Sequence, residues 1–110
     1  MKAKAYTLKA GSYIPCEPEK ATHIQLNIPG PIPYRMIPVI QKGTRDGTGC
    51  WTWNGSLEKP DLKPSILTKA PQGDNVIVCH TWINEGMVHF LNDCTHEYAG
   101  QILDLLDIEE

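Results

Sequence analysis

The stretch NVIVCHTWINEGMVHFLNDCTH, residues 75–96, decides the fold. It holds two runs rich in β-branched and aromatic residues, 76–83 and 87–91, and Glu85-Gly86 separates them. Such runs are typical of strands, and glycine supplies the positive φ that a two-residue hairpin turn requires. The segment therefore predicts an antiparallel hairpin at the centre of the protein.

A two-residue turn also fixes which residues of the hairpin face each other. Counting outward from the turn, the predicted pairs are Asn84 with Met87, Ile83 with Val88, Thr81 with Phe90, and Cys79 with Asn92. Alternate residues point to the same face of a strand. One face of the hairpin is therefore expected to carry a cysteine near its open end.

Cysteine and histidine gather at that open end. If the second strand continues, Cys94 becomes a diagonal neighbour of Cys79, about 7–8 Å away between backbones, which lets two thiolates share one zinc ion at about 2.3 Å. His96 is the expected third ligand, because it points to the same side as Cys94. His80 follows Cys79 directly and should face the opposite side, so it joins this site only through a bulge or a twist. Three protein ligands plus water make a catalytic type of zinc site, whereas four close it as a structural one.

The cysteines also fit two alternatives to metal binding, which are core packing and disulfide formation. Free cysteine is among the most buried residue types, so Cys79 and Cys94 can simply pack in the core with the histidines hydrogen-bonded nearby. Disulfides are disfavoured, because the N-terminus has no apolar run of signal-peptide length and cytoplasmic thiols stay reduced. Metal binding and core packing both remain open from the residues alone.

The rest of the chain reads as strands and turns. Residues 22–28 alternate apolar and polar side chains, residues 34–40 are apolar enough for a further strand, and Trp51 and Trp53 alternate in an extended segment that ends at Asn54-Gly55. Residues 101–108 fit either a short helix or a strand. The expected fold is mostly β, a compact antiparallel sheet or sandwich with little helix and with the hairpin of residues 76–96 at its centre.

Length and charge limit the classes of function that the chain can have. A chain of 110 residues with 41% hydrophobic content is the size of one domain, in which we expect N-terminal strands at 1–40, an exposed loop at 41–49 and a metal-site half at 50–110. The net charge of −3 lacks the positive field that nucleic-acid binding requires. No apolar stretch is long enough to span a membrane, so a cytoplasmic protein is expected.

The second half of the chain also carries a family resemblance. W-x-W-N-G at 51–55, P-x-x-x-P-S-I-L at 60–67, C-H at 79–80 and F-L-x-D-C-T-H-x-x-A-G-Q at 90–101 resemble a family of small phage and bacterial proteins. In phages its members often carry the label ammonia monooxygenase, and relatives occur beside bacterial ubiquitin-like conjugation genes. The resemblance covers about half of the chain and implies a zinc-dependent peptidase that acts on a ubiquitin-like protein.

Carried over by position, the resemblance implies specific site residues. The implied metal ligands are Cys79, His80, Cys94 and His96, and the implied catalytic residues are Ser65 and Asp93. Bound zinc would polarise a carbonyl or activate water, with Asp93 or His80 handling protons, or Ser65 would itself attack as a nucleophile. The competing hypothesis is a zinc-stabilised binding module, such as a phage accessory protein that docks on a host protein.

The family often has a second element, C-x-x-C-x-x-x-H, near its N-terminus. Here Cys16 and His23 are present, and Glu19 stands where the second cysteine would be. One cysteine and one histidine do not make a site, and an exposed turn is expected at this place.

Overall fold

The computed structural model describes residues 1–41 and 50–108. Of these residues 54% lie in strands and 3% in helix, which confirms the mostly β prediction. A short 3-10 turn spans Pro18–Lys20. The nine strands are β1 Ala3–Lys9, β2 Ser12–Pro15, β3 His23–Asn27, β4 Tyr34–Ile40, β5 Trp51–Trp53, β6 Leu62–Gln72, β7 Asn75–Asn84, β8 Met87–Phe90 and β9 Ile102–Asp104.

All nine strands belong to one sheet with the order β2-β1-β3-β4-β5-β6-β7-β8-β9. Every pair of neighbours is antiparallel except β4 and β5, which run parallel, so the sheet is mixed rather than purely antiparallel. Because β4 and β5 are parallel, the chain needs a crossover between Ile40 and Trp51. The predicted loop at 41–49 falls in that connection, and beyond Gln41 it lies outside the described residues.

The central hairpin forms as predicted, from β7 and β8. Asn84 pairs with Met87, and Glu85 and Gly86 both have positive φ, 48° and 80°. Two positive φ values in a two-residue loop give the turn whose twist matches the flanking strands. The backbone N–H of Gly86 also donates to Pro60 at 2.9 Å, so the turn packs closely on the loop before β6.

The predicted pairing of Cys79 with Asn92 is wrong, because β8 ends at Phe90. Leu91 still donates its N–H to the carbonyl of His80 at 2.9 Å, but the chain then turns. Phe90 instead pairs on its other side, where it donates to Gln101 and accepts from Gly100. Cys94 therefore approaches β7 from a turn rather than from a continuing strand.

The core is one cluster of buried residues from β1 and from β3 to β8, which Cys94 and Leu105 join from outside the strands. Along β7 the residues Cys79, Thr81 and Ile83 are buried while their neighbours point outward. Trp53 is fully buried, and its indole N–H donates to the carbonyl of Ser56 at 3.1 Å, which satisfies the polar end of a large core side chain. Core burial thus follows the period-two pattern that the sequence predicted.

The C-terminal segment resolves one open alternative. Residues 102–104 form strand β9 on the outer side of β8, with His89 opposite Ile102. Leu105 then enters the core. The part of the chain that the structure describes contains no helix long and apolar enough to cross a bilayer.

Ile66 and Leu67 test the alternation directly, because they are neighbours on β6 with 3% and 53% of their surface exposed. Ile66→Ala should lower the free energy of unfolding by roughly 2–5 kcal/mol, since it removes buried methylenes and leaves a cavity. Leu67→Ala, the matched control, should change it by less than about 1 kcal/mol. Urea denaturation followed by tryptophan fluorescence measures both, and equal losses would contradict the inward assignment of Ile66.

Candidate active site

Three polar side chains form a hydrogen-bonded chain on the outer face of the sheet. Ser65 Oγ lies 2.9 Å from His80 Nε2. His80 Nδ1 lies 2.9 Å and 3.2 Å from the two carboxylate oxygens of Asp93. The order hydroxyl, imidazole, carboxylate, with the serine on Nε2 and the carboxylate on Nδ1, is the arrangement of a catalytic triad.

The contacts of His80 favour one tautomer of its neutral imidazole. A carboxylate accepts hydrogen bonds, so the proton on Nδ1 faces Asp93. In that tautomer the lone pair of Nε2 points at Ser65, whose hydroxyl donates to it. In this state the imidazole can accept the serine proton, as a general base must.

Ser65 is positioned by an irregularity in β6. The pairing of β6 with β7 shifts register between Leu62 and Ile66, and Ser65 lies inside this shift. The indole N–H of Trp51 donates to the Ser65 carbonyl at 3.2 Å and holds the main chain from the β5 side. A bulge that re-aims one side chain is common beside active sites.

The thiol of Cys94 contacts the backbone of His80 and so holds the neighbouring Asp93 close to the imidazole. Its Sγ accepts the backbone N–H of His80 and donates to the His80 carbonyl, each at 3.2 Å. Asp93 precedes Cys94 in the chain, so anchoring the thiol also places the carboxylate. Thr95 adds a second anchor to β7, because it exchanges hydrogen bonds of 2.8 Å and 3.0 Å with the backbone of Val78.

Cys79, Cys94 and His96 come together on the inner side. Their ligand atoms all lie within 4.8 Å of one another, and both cysteines are buried. Tetrahedral zinc with bonds of about 2.0–2.3 Å would separate such atoms by about 3.8 Å. The three side chains can therefore hold one metal ion if their ligand atoms move about one ångström closer together.

The chemistry of the three groups fits a metal. Burial lowers the pKa of His96, which favours the neutral imidazole that binds metals. Its Nδ1 lies 3.2 Å from the backbone nitrogen of Tyr98, and Nε2 is one of the buried nitrogens without a hydrogen-bond partner among the described residues. Burial also raises the pKa of Cys79, so a metal would have to displace a thiol proton.

Arg35 is a residue of this region that the sequence reasoning missed. Its side chain is buried, and its guanidinium approaches Cys79 closely enough to lower the pKa of that thiol, against the larger effect of burial. The signal was present, because Arg35 shares the inward face of β4 with Ile37 and Val39. A buried cation on an otherwise apolar face requires a buried hydrogen-bond acceptor or anion as its partner.

The structure separates the residues that the sequence grouped. Cys79, Cys94 and His96 share one inner group, whereas His80 lies outside it, between Ser65 and Asp93. This follows from the alternation on β7, where His80 and Cys79 face opposite ways. The sequence analysis did not predict that Ser65, His80 and Asp93 form one hydrogen-bonded chain, because it treated each residue separately.

The N-terminal residues Cys16, Glu19 and His23 do not assemble into a second group. Among residues 1–41 and 50–108, Cys79, Cys94 and His96 are the one set of three ligand side chains that lie close together. Glu19 lies in the 3-10 turn, and the His23 ring packs edge-on against Tyr13 with centroids 5.0 Å apart.

One family matches the chain over residues 15–91, about seven tenths of its length, and it is described as bacterial ubiquitination-like system serine protease (BubE). The matched range includes Ser65 and His80, and Asp93 lies two residues beyond it. The description names a serine protease where the resemblance had implied a zinc-dependent peptidase. No curated protein and no solved structure matches the chain.

The two classes of cysteine can be told apart chemically. Cys16 and Cys50 are half-buried, whereas Cys79 and Cys94 are buried. Since alkylation needs an accessible thiolate, iodoacetamide should modify Cys16 and Cys50 first in the native protein, and all four only after denaturation. Intact mass with peptide mapping measures this, and fast native labelling of Cys94 would contradict its place behind His80.

Proposed function

We propose that this chain, which belongs to the BubE family of bacterial ubiquitination-like system serine proteases, cleaves a protein substrate with Ser65 as its nucleophile. His80 acts as the general base, and Asp93 orients and stabilises it. The observation that carries the proposal is the chain of 2.9 Å contacts from Ser65 Oγ through His80 to Asp93. The proposed substrate is a ubiquitin-like protein in the cytoplasm of a bacterium or of a phage host.

In the first half of the reaction Ser65 Oγ attacks the scissile carbonyl carbon while His80 Nε2 takes the hydroxyl proton. The tetrahedral intermediate then collapses, the bond to the leaving group breaks, and His80 returns the proton to it. The carbonyl fragment stays bonded to Ser65 as an ester. Asp93 remains ionised and stabilises the imidazolium that forms between these steps.

In the second half water replaces the leaving group. His80 Nε2 removes a proton from the water, whose oxygen attacks the ester carbon, and the acid is released as Ser65 regains its proton. No metal ion takes part in these steps. All proton transfers occur at one nitrogen, which its neighbours hold in place from both sides.

The surface around the triad suits a protein substrate. Leu67, Trp82 and Ile102 are large apolar residues that are exposed. Leu67 lies opposite His80 in the ladder, and His89 lies opposite both Trp82 and Ile102. The strand pairing therefore places these side chains on the same face as His80, where contiguous apolar surface is typical of macromolecular recognition.

We further propose that Cys79, Cys94 and His96 hold a zinc ion with a structural role. Two thiols and an imidazole are donors that zinc prefers, and three protein ligands leave a fourth position for water or another group. We assign the ion a structural role because both cysteines are buried, on the face of the sheet opposite the triad. Bound zinc would supply folding free energy and would fix the segment from Asp93 to His96 against β7. The residues of the triad point to the other side of the sheet.

Substitution of the triad tests the protease. Ser65→Ala and His80→Ala should each lower kcat at least about 10³-fold on a bacterial ubiquitin-like protein with a C-terminal extension, because each removes a group that bonds or moves a proton. Asp93→Asn should also lower kcat, since an amide can present its NH₂ to Nδ1 and favour the wrong tautomer. Gel-based cleavage measures all three.

A fluorophosphonate probe adds a readout that needs no knowledge of the substrate. It should label Ser65 in the wild-type protein and in Ser12→Ala, an exposed serine on β2 that serves as the matched control. Failure of the probe to label Ser65, with the protein folded, would sink the nucleophile assignment and leave a binding module.

Elemental analysis tests the metal. Purified wild-type protein should contain about one zinc ion per chain, and Cys94→Ala and His96→Ala should lose it. Cys16→Ala, which lies outside the inner group, should retain it. A chelator should lower the melting temperature of the wild-type protein, because bound metal stabilises the folded state. A metal-free wild-type protein with both variants still folded would leave these residues a packing role.

A further inference from the structure

Strand β6 has a free edge that begins beside the nucleophile. On the side away from β7, β5 pairs only with Leu62 and Lys63. β6 continues to Gln72, and from Ser65 onward no other described strand pairs with that side. Within residues 1–41 and 50–108, β6 therefore presents a strand edge that no strand pairs with; it begins just after Ser65, whose carbonyl accepts from the Trp51 indole.

The polar groups on this edge can be identified from the ladder. Gln72 pairs with Asn75 across the two-residue turn Gly73–Asp74, and such closing pairs exchange hydrogen bonds. Hydrogen-bonded and non-hydrogen-bonded pairs then alternate along the hairpin. Leu67 and Lys69 fall in non-hydrogen-bonded pairs, so their backbone N–H and C=O groups point away from β7.

The opposite strand supports this assignment. Leu67 lies opposite His80, and Lys69 lies opposite Val78. The backbone groups of His80 and Val78 bond to Cys94, Leu91 and Thr95, on the side away from β6. In a non-hydrogen-bonded pair both partners direct these groups outward, so those of Leu67 and Lys69 point to the free edge.

Pro71 agrees with the same alternation. It lies opposite Val76, two residues beyond Lys69, and has no N–H to give to either side. A proline here costs β7 no hydrogen bond, because this position faces outward. It also ends the series of outward donors, so the part of the edge that can bind another strand is the part next to Ser65.

We propose that this edge binds an extended segment of the protein substrate as an added β-strand, held by the backbone groups of Leu67 and Lys69. The inference rests on the proposed serine protease. Leu67 is two residues from Ser65, about 7 Å along a strand, so a chain that pairs with Leu67 lies within reach of the Ser65 hydroxyl. An extended chain added to a sheet edge is a general mode of peptide recognition.

The bound segment is the part on the amino side of the scissile bond. That part becomes the acyl group bonded to Ser65 Oγ, so pairing with the edge holds it through both halves of the reaction. Recognition through the backbone selects an extended conformation rather than particular side chains. It therefore favours an unfolded tail over a segment within a folded domain.

Two phosphonate probes of different length test the proposal. Acetyl-alanine diphenylphosphonate reaches only Ser65, whereas acetyl-tetra-alanine diphenylphosphonate also spans the edge. In each case Ser65 Oγ displaces one phenoxide from phosphorus, and the serine proton leaves with it as phenol. The long probe should inactivate the wild-type protein about tenfold faster, as one or two additional hydrogen bonds provide.

Lys69→Pro removes the outward N–H and leaves the pairing with β7 intact, and Lys69→Ala is the matched control that keeps the N–H. The advantage of the long probe should shrink in Lys69→Pro, where the groups of Leu67 still bind, and should persist unchanged in Lys69→Ala, with the short probe equally reactive in all three proteins. Equal advantage in both variants would overturn the edge. Labelling of Ser65 by neither probe would overturn the proposed function, and this inference with it.

Two further measurements cover the remaining outcomes. If Lys69→Pro does not fold, N-methylation of successive alanines in the long probe replaces it, and the rate on the wild-type protein should fall at alternate positions, as strand pairing demands. A rate independent of position would overturn the proposal. So would a wild-type dimer that Lys69→Pro converts to a monomer, since the edge would then bind a second copy of the chain.

Discussion

The opposite orientation of Cys79 and His80 on one strand is the constraint on which the rest of the structure depends. Successive side chains of a strand point to opposite faces, so β7 offers a thiol to the interior and an imidazole to the surface within one residue step. Asp93 and Cys94 repeat this division in the turn that packs against β7. The sheet thus separates an inner group of sulfur and nitrogen ligands from an outer group that can move protons, although the two share neighbouring residues.

The contact between Cys94 and the backbone of His80 joins the two groups. His80 is held by strand β7, whereas Asp93 lies on a turn and needs an anchor to stay in place. The anchor is the buried Sγ of Cys94, which accepts the backbone N–H of His80 and, as a thiol, donates to the His80 carbonyl; a zinc-bound thiolate would keep the first of these contacts. Asp93 is 59% exposed, so its own attraction for His80 is weakened by water. Cys94 thus contributes to the triad by holding the position of Asp93 against His80.

Much of the fold followed from the sequence, because period-two alternation and turn chemistry act over a few residues. Residues 76–84 and the turn at Glu85-Gly86 specified the hairpin and its register, and the segment 34–40 forms β4 with the predicted limits. The end of β8 was not predicted. Phe90 still lies opposite Thr81 of β7, but it also bonds on its other side to the segment 100–101, ten positions away in the chain, and the chain turns after Leu91. The same limit applied to the site. Strand alternation predicted that His80 faces away from Cys79. Its contact with Ser65, however, depends on a register shift in β6, which no local sequence pattern predicts.

The turn from Leu91 to Asp93 has a consequence for how this chain can vary. Asp93 and Cys94 reach β7 from this turn, and each makes a specific contact with His80. One residue inserted or deleted in the turn would displace both side chains from those contacts. The turn at Gly73–Asp74 is exposed, and a Cβ built at Gly73 meets no atom within 4 Å, although its φ of 59° favours glycine there. The two ends of β7 therefore differ in what surrounds them, because the turn at one end faces solvent whereas the turn at the other end carries a member of the triad.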